Sequence, residues 1–276
     1  MRDSPVKQYY KKRLTRLLLP YFIWSTIYTL INIINYVRNH IEINIKDIIL
    51  CYLTGGAVAP LYYIIVLVQL TLLTPLIFNM IKNKYFKNLI WLISPIYLIL
   101  MYYYNIKYNA YPKYYNVIFC GWLSFYLLGI TLRNHYFSLK KYITVIGSKL
   151  NICLCIVLCI IEAVIITSYK LNSAFAMNQM KISSFLLSFA ICIKSVNDIT
   201  VRNKLGLGRH KILKLLGDNS YGMFYSHELF KIPTLVILNK CAINTWIIRF
   251  VICWIVMTFF SFYLSRMYYS IKNSKA

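Results

Sequence analysis

Acidic residues are scarce in this chain. Its 276 residues include 7 Asp and Glu against 31 Lys and Arg, a formal net charge of +24. Charge of either sign is also thin, at 14% of residues, where a soluble domain carries about 25%. With 59% of residues hydrophobic, these deficits exclude an ordinary soluble domain and describe an integral membrane protein. Metal-binding spacings are missing too. There are eight cysteines but no Cys-x-x-Cys and no Cys/His ligand pattern, so no metal centre is expected. Cys120, Cys153, Cys155, Cys159, Cys192 and Cys253 fall in apolar runs and read as small hydrophobes. Cys51 and Cys241 fall in segments expected on the outer face, where a bridge between them is one option. Gly206-Leu207-Gly208 is too short for a phosphate-binding fingerprint.

What is present in quantity is apolar sequence in lengths that cross a bilayer. A hydrocarbon layer about 30 Å thick needs about 20 helical residues. Eight runs fit or approach that length: 17–36, 57–81, 89–104, 115–132, 150–169, 182–193 (longer if extended towards Val201), 219–238 and 245–268. The expected fold is all-α, a polytopic membrane helical bundle of about eight transmembrane helices forming one domain over 1–276. Residues 1–16 form a basic segment, 17–268 the bundle and 269–276 a tail. Gly121 and Gly129 in the fourth run suit close helix approach. The tyrosine-rich stretch 105–114 suits the membrane interface.

The basic residues are distributed unevenly. Segments 1–16, 82–87, 133–149, 194–218 and 266–276 hold 22 of the 31, and the alternate loops hold 7. Positive charge marks the cytoplasmic side, so both termini are expected there, in a multi-pass protein of the cell membrane. The excess charge is then an orientation signal, reinforced by anionic lipid. No recognition motif accompanies the basic loops, which argues against a nucleic-acid partner.

One run is unlike the others. Asn219 to Leu238 carries His227 and Glu228, and a charge at the centre of a membrane helix costs about 2.5–3.5 kcal/mol. Such residues face a bundle interior or a wet cavity and mark function. The plain alternative is that Lys231, three residues beyond Glu228, simply neutralises it. His227 is the one histidine inside a run; His40, His135 and His210 fall in loops. Ser220 lies seven residues before His227 and shares its helix face, and Tyr221 and Glu228 share a neighbouring face. His227, Ser220, Tyr221 and Glu228 are therefore the candidate catalytic group. Glu162 in the fifth run has no partner visible in the sequence.

Four stretches carry a family likeness. They are Lys12-Arg13-Leu14-x-Arg16-Leu17-x-x-Pro20-Tyr21-x-x-Trp24, Leu70-Thr71-Leu72-Leu73-Thr74-Pro75-Leu76-Ile77, Gly121-Trp122-x-x-Phe125-Tyr126-x-Leu128-Gly129, and Leu216-Gly217-x-Asn219-Ser220-Tyr221-Gly222-Met223-Phe224-x-x-His227-x-x-Phe230. In this order they resemble the acyltransferase 3 family of membrane proteins over nearly the whole chain. That resemblance implies transfer of an acyl group, acetyl foremost, from cytoplasmic acyl-CoA to a sugar hydroxyl of a cell-surface or exported glycan. Acyl-CoA would be a co-substrate, with no tightly bound cofactor, and the partners would be the bilayer and a glycan or glycolipid acceptor. Arg13 and Arg16 stand where a coenzyme phosphate would approach, and arginine's fork suits phosphate. The same two residues would also serve as anchors to anionic head groups. The family pattern has ten helices, with a candidate catalytic histidine in the first. By that alignment this chain starts before the third, and Pro60-Leu61-Tyr62-Tyr63 stands where many relatives carry His-Leu-aromatic-Phe. A truncated, inactive member and a non-catalytic component of glycan transport or assembly are the competing readings.

Overall fold

The computed structural model describes residues 6–169, 171, 173–204 and 211–273. Met1–Pro5, Lys170, the Gly206-Leu207-Gly208 stretch, Arg209, His210 and the last three residues of the tail lie outside the described residues.

All regular structure among the described residues is helical. In chain order the helices are α1 (Val6–Arg38), α2 (Ile45–Thr54), α3 (Tyr62–Lys82), α4 (Phe86–Tyr108), α5 (Leu123–His135), α6 (Lys140–Ile146), α7 (Lys149–Ser168), α8 (Ser173–Ala176), α9 (Ile182–Lys204), α10 (Lys211–Lys240) and α11 (Trp246–Asn273). Short 3-10 turns at Ala59–Leu61 and Phe119–Gly121 lead into α3 and α5. Six of the helical segments described are long and apolar enough to cross a membrane: Val6–Arg38, Ala59–Lys82, Phe86–Tyr108, Lys149–Ser168, Ile182–Asn203 and Trp246–Met267. This is a polytopic helical membrane bundle.

Two of the eight expected spans differ. The fourth is broken by the 3-10 turn, so α5 proper has 13 residues, about 20 Å, which is short of a hydrocarbon layer. The seventh, α10, is longer than expected at 30 residues, but His227, Glu228 and Lys231 take its middle out of the apolar class. The sixth extends through α9 to Lys204, and α1 reaches back to Val6 through its Lys and Arg residues, which are good helix formers.

Residues 1–65 and 209–276 form one compact unit and residues 66–208 another, with the boundary inside α3. In the first unit α10 and α11 form an antiparallel pair. Gly222 permits a close approach of the two: an added Cβ would lie 2.8 Å from Ser265 Cβ and collide with Ser265 Oγ. Ser265 Oγ donates to the Asn219 carbonyl at 3.0 Å. Further along, Phe230 stacks on Phe260 at 5.5 Å, and Arg249 donates to Asn239 Oδ1 at 2.6 Å. α1 is tied to the segment after it by Tyr21, whose hydroxyl donates to the Tyr52 carbonyl at 2.6 Å, and by Asn32, which donates to the Ala57 carbonyl at 2.8 Å.

The segment 37–56, between the first two apolar runs, contains α2. Asn44 caps its start by accepting from the Lys46 amide at 2.9 Å. Gly55 closes it in the left-handed region, φ 73°. A Cβ at Gly55 would lie 2.5 Å from Tyr62 N and Cα, so two independent constraints require glycine here.

In the second unit α7 packs along α9, and α4 packs against α5 and its leading 3-10 turn. Gln69 brackets that turn, donating to the Val117 carbonyl and accepting from the Phe119 amide, each at 3.0 Å. Gly121 is a close-approach glycine, since a Cβ there would lie 2.8 Å from Met180 Cε. Gly129 is not: nothing among the described residues comes within 4 Å of its would-be Cβ. The expected loop 105–114 is helical as far as Tyr108. Within its remainder, Tyr111 stacks on Tyr115 at 4.1 Å and 11°. Burial, with a smaller effect of Tyr115, raises the Tyr111 hydroxyl above its ordinary range.

All eight cysteines are free thiols, Cys51 and Cys241 included. The outward faces of α7 and α11 are apolar, with Leu150, Val164, Phe250 and Trp254 among the exposed side chains. An apolar exterior is what a lipid solvent requires.

Candidate functional site

The candidate site lies on α10 where it runs beside α11. Contacts at Gly222–Ser265, Phe230–Phe260 and Asn239–Arg249 set the register of the pair. α11 is long and apolar enough to span over Trp246–Met267. His227, Glu228 and Lys231 therefore lie opposite the central part of a helix long and apolar enough to span.

His227 is fixed from one side. Its Nδ1 is 3.2 Å from the Met223 carbonyl, one turn back. A carbonyl only accepts, so Nδ1 is the donor in that bond. Nε2 faces Glu228 Oε1 at 3.8 Å, too long for a hydrogen bond but close for a charge. Glu228 is in turn held by Lys231, whose Nζ is 3.4 Å from Oε1 and 3.2 Å from Oε2. Side-chain exposure falls from 47% at Lys231 to 27% at His227 and 16% at Glu228. The carboxylate is thus the most enclosed member, between two nitrogen groups.

The helix carrying these residues is clamped to α1 by an aromatic cluster. Tyr28 OH donates to the Tyr225 carbonyl at 2.6 Å, and both residues are buried. Trp24 stacks on Tyr225 at 6.3 Å and lies 6.0 Å from Tyr28. Tyr28 also feels the Glu228 carboxylate electrostatically. Tyr221 OH donates to the Arg16 carbonyl at 2.9 Å and meets Tyr225 OH at 3.1 Å. Phe224 packs edge-on to Tyr63 at 6.0 Å.

Of the residues singled out in the sequence, His227 and Glu228 are brought together. Tyr221 is turned towards the α1 backbone. Ser220 is exposed, and its hydroxyl bonds back to the Gly217 carbonyl at 2.7 Å. It lies about 10 Å along the helix from His227. Arg13 and Arg16 are exposed on the N-terminal part of α1, about two turns and one turn before Pro20. His40 and His135 are exposed. Sequence reading missed Tyr28, Trp24 and Tyr225 as the clamp. The available signal was their spacing: Tyr21, Trp24 and Tyr28 repeat at three and four residues on one face of α1.

Glu162 also has a partner that the sequence did not disclose. Its Oε2 accepts from the Ser183 amide at 3.0 Å and from the Ser183 hydroxyl. It therefore caps the start of α9, where a carboxylate is favoured by the helix dipole. Beside it Lys181 is 4% exposed and donates to the Cys159 carbonyl at 3.3 Å. No group of three or more metal-ligating side chains occurs among the described residues.

Six helices long and apolar enough to span, with an imidazole and a carboxylate on α10 beside one of them, define a multi-pass membrane protein. The family profile described as acyltransferase domain matches residues 1–266, and the chain belongs to the acyltransferase 3 family. In general terms it is a membrane acyltransferase. No curated protein and no solved structure matches it.

Proposed function

We propose that the chain moves an acyl group, acetyl foremost, from cytoplasmic acyl-CoA to a sugar hydroxyl of a cell-surface or exported glycan, with His227 as the general base. It would do so in the cell membrane. The single observation that supports this reading best is the Met223-anchored imidazole, whose Nε2 faces a carboxylate at 3.8 Å. As the acceptor oxygen attacks the thioester carbonyl carbon, its proton passes to Nε2. The imidazolium so formed is stabilised by Glu228. The C–S bond then breaks, and the coenzyme thiolate takes the proton back from Nε2. A positioned base of this kind is worth about 10²–10⁴-fold.

Arg13 and Arg16 are the proposed docking pair for the coenzyme's phosphates, as bidentate donors at the cytoplasmic end of α1. Tyr221 acts here as a spacer, holding the Arg16 backbone against α10. Ser220 is exposed and two turns from His227, so this reading gives it no part at the reacting carbon.

The test uses the full chain in lipid nanodiscs with radiolabelled acetyl-CoA and a surface-glycan fraction as acceptor. His227→Ala is expected to reduce transfer by about 10²–10⁴-fold. Undiminished transfer overturns the base assignment. Loss of surface-glycan acetylation on deleting the gene supports an enzyme; loss of the glycan itself, with acetylation per sugar unchanged, supports the transport reading instead.

A further inference from the structure

The connection between α5 and α7 is built as a shelf. Its helix, α6, packs against α9. Tyr136 and Ile143 are buried in a cluster with Leu132 and Ile193, and the Tyr136 hydroxyl donates to Asn197 Oδ1 at 2.9 Å. At the far end Gly147 lies so close to α9 that an added Cβ would stand 3.0 Å from Lys194 Cα. Ser148 fixes the corner into α7, its hydroxyl accepting from the Asn151 amide at 3.2 Å. α7 is long and apolar enough to cross a membrane from Lys149 onward. The shelf therefore sits where a spanning helix begins, at the boundary of lipid and water.

Two properties of the shelf are not explained by this packing. One is charge. Arg133, Lys140, Lys141 and Lys149 are exposed and form no ion pair among the described residues. No acidic residue occurs in the sequence between Arg133 and Glu162. The other is exposed apolar surface: Tyr142 and Val145 are each 65% exposed. The two properties occupy different sides of one helix. At about 100° per residue, Leu139 and Ile143 mark the stripe packed on the bundle. Tyr142 and Val145 stand to one side of it, Lys140 and Thr144 to the other, and Lys141 opposite.

We propose that α6 is an interfacial helix that binds anionic phospholipid. Tyr142 and Val145 enter the boundary of the acyl chains, and Lys140 and Lys141 hold the head-group phosphates. An amphipathic helix with this division lies in the plane of the interface, and basic residues there attract acidic lipid. Other occupants satisfy only half of the pattern. A soluble phosphate or a nucleic acid would leave the apolar side wet. A zwitterionic lipid would leave the cations uncompensated. The proposal is independent of the acyl-transfer reading, since it uses none of the residues assigned to that chemistry.

The test uses the full chain in nanodiscs of phosphatidylcholine and phosphatidylglycerol in equal amounts. The photo-reactive benzoylphenylalanine replaces Tyr142, Val145 or Thr144 in turn, and adducts are identified by mass spectrometry after irradiation. Positions 142 and 145 are expected to capture phospholipid and position 144 to capture little. Phosphatidylglycerol should exceed phosphatidylcholine in those adducts by about fivefold or more. Lys140→Gln/Lys141→Gln should bring the ratio close to equality with the melting temperature unchanged. If a labelled chain does not fold, native mass spectrometry of the unlabelled wild type and the double glutamine variant, released from the same discs, reads the lipid preference directly. Four results would each overturn the proposal: no lipid captured at 142 and 145, equal capture at 144, a cross-link to a second protein chain in place of lipid, or a lipid ratio that the glutamines leave unchanged.

Discussion

Gly222→Ala is the sharpest test of how the candidate site is built, because the opposing effects can be weighed. Alanine in a helix interior is favoured over glycine by about 1 kcal/mol. Against that, the new methyl would lie 2.8 Å from Ser265 Cβ and 3.3 Å from Ser265 Cα, besides colliding with Ser265 Oγ. Two of those atoms are fixed to the α11 backbone, so a rotamer change cannot clear them. Overpacking costs about 1–3 kcal/mol, and two contacts fixed to the backbone put this one in the upper half of that range, about 2–3 kcal/mol. The clash therefore exceeds the propensity gain, and a net loss of about 1–2 kcal/mol is expected. The melting temperature should fall by about 3–6 °C, followed by tryptophan fluorescence of the full chain in nanodiscs. Under the proposed function, acyl transfer should fall further than stability, because α10 must shift within two turns of His227. Ser265→Gly removes the Cβ and Oγ and should relieve the clash, so the double variant should be more stable than additivity predicts, by about 1–2 kcal/mol. A Gly222→Ala protein as stable as the wild type, or strict additivity in the double, would refute the close α10–α11 packing that sets the depth of His227.

Three further outcomes are expected. Tyr28→Phe keeps the buried ring and removes the bond to the Tyr225 carbonyl, costing about 1 kcal/mol, measured by the same melt. Gly55→Ala puts a side chain at φ 73°, 2.5 Å from the Tyr62 backbone; at least about 2 kcal/mol is lost, and amide exchange in α2 should accelerate well before exchange in α10. Glu162→Ala leaves the buried amide and hydroxyl of Ser183 without their acceptor and should cost about 1–3 kcal/mol, whereas Glu162→Gln retains an acceptor and should lose less than half of that. Equal melts for the two Glu162 variants would deny its capping role.

Most of the fold is legible in the sequence because lipid leaves few options. A backbone inside hydrocarbon must satisfy its own hydrogen bonds, so a long apolar run becomes a helix wherever it lies. The runs at 57–81, 150–169 and 245–268 correspond closely to helices for that reason. The short helices are harder to read, since α2 and α6 are too short to show in hydropathy. α2 does have a local signature in Asn44 and Gly55, ten helical residues apart, and that pair alone could have located it. The fourth run shows the limit of apolarity as a guide: Phe119–Gly121 is as apolar as its neighbours, yet it turns because Gln69 and Ser94 bind its backbone from other helices.

The candidate site divides along the same line. That α10 carries an unusual histidine and carboxylate was readable from composition and spacing, as was the availability of Lys231 three residues on, because neighbours at three and four residues on a helix always meet. Contacts between distant segments were not readable. Nothing in the local sequence pairs Tyr28 with the Tyr225 carbonyl, 197 residues away, Glu162 with Ser183, or Gly222 with Ser265. Helix periodicity fixes which side chains share a face, and it alone sets the local contacts of His227 with Met223 and Glu228, but only the packing of one helix on another decides what the rest of that face meets.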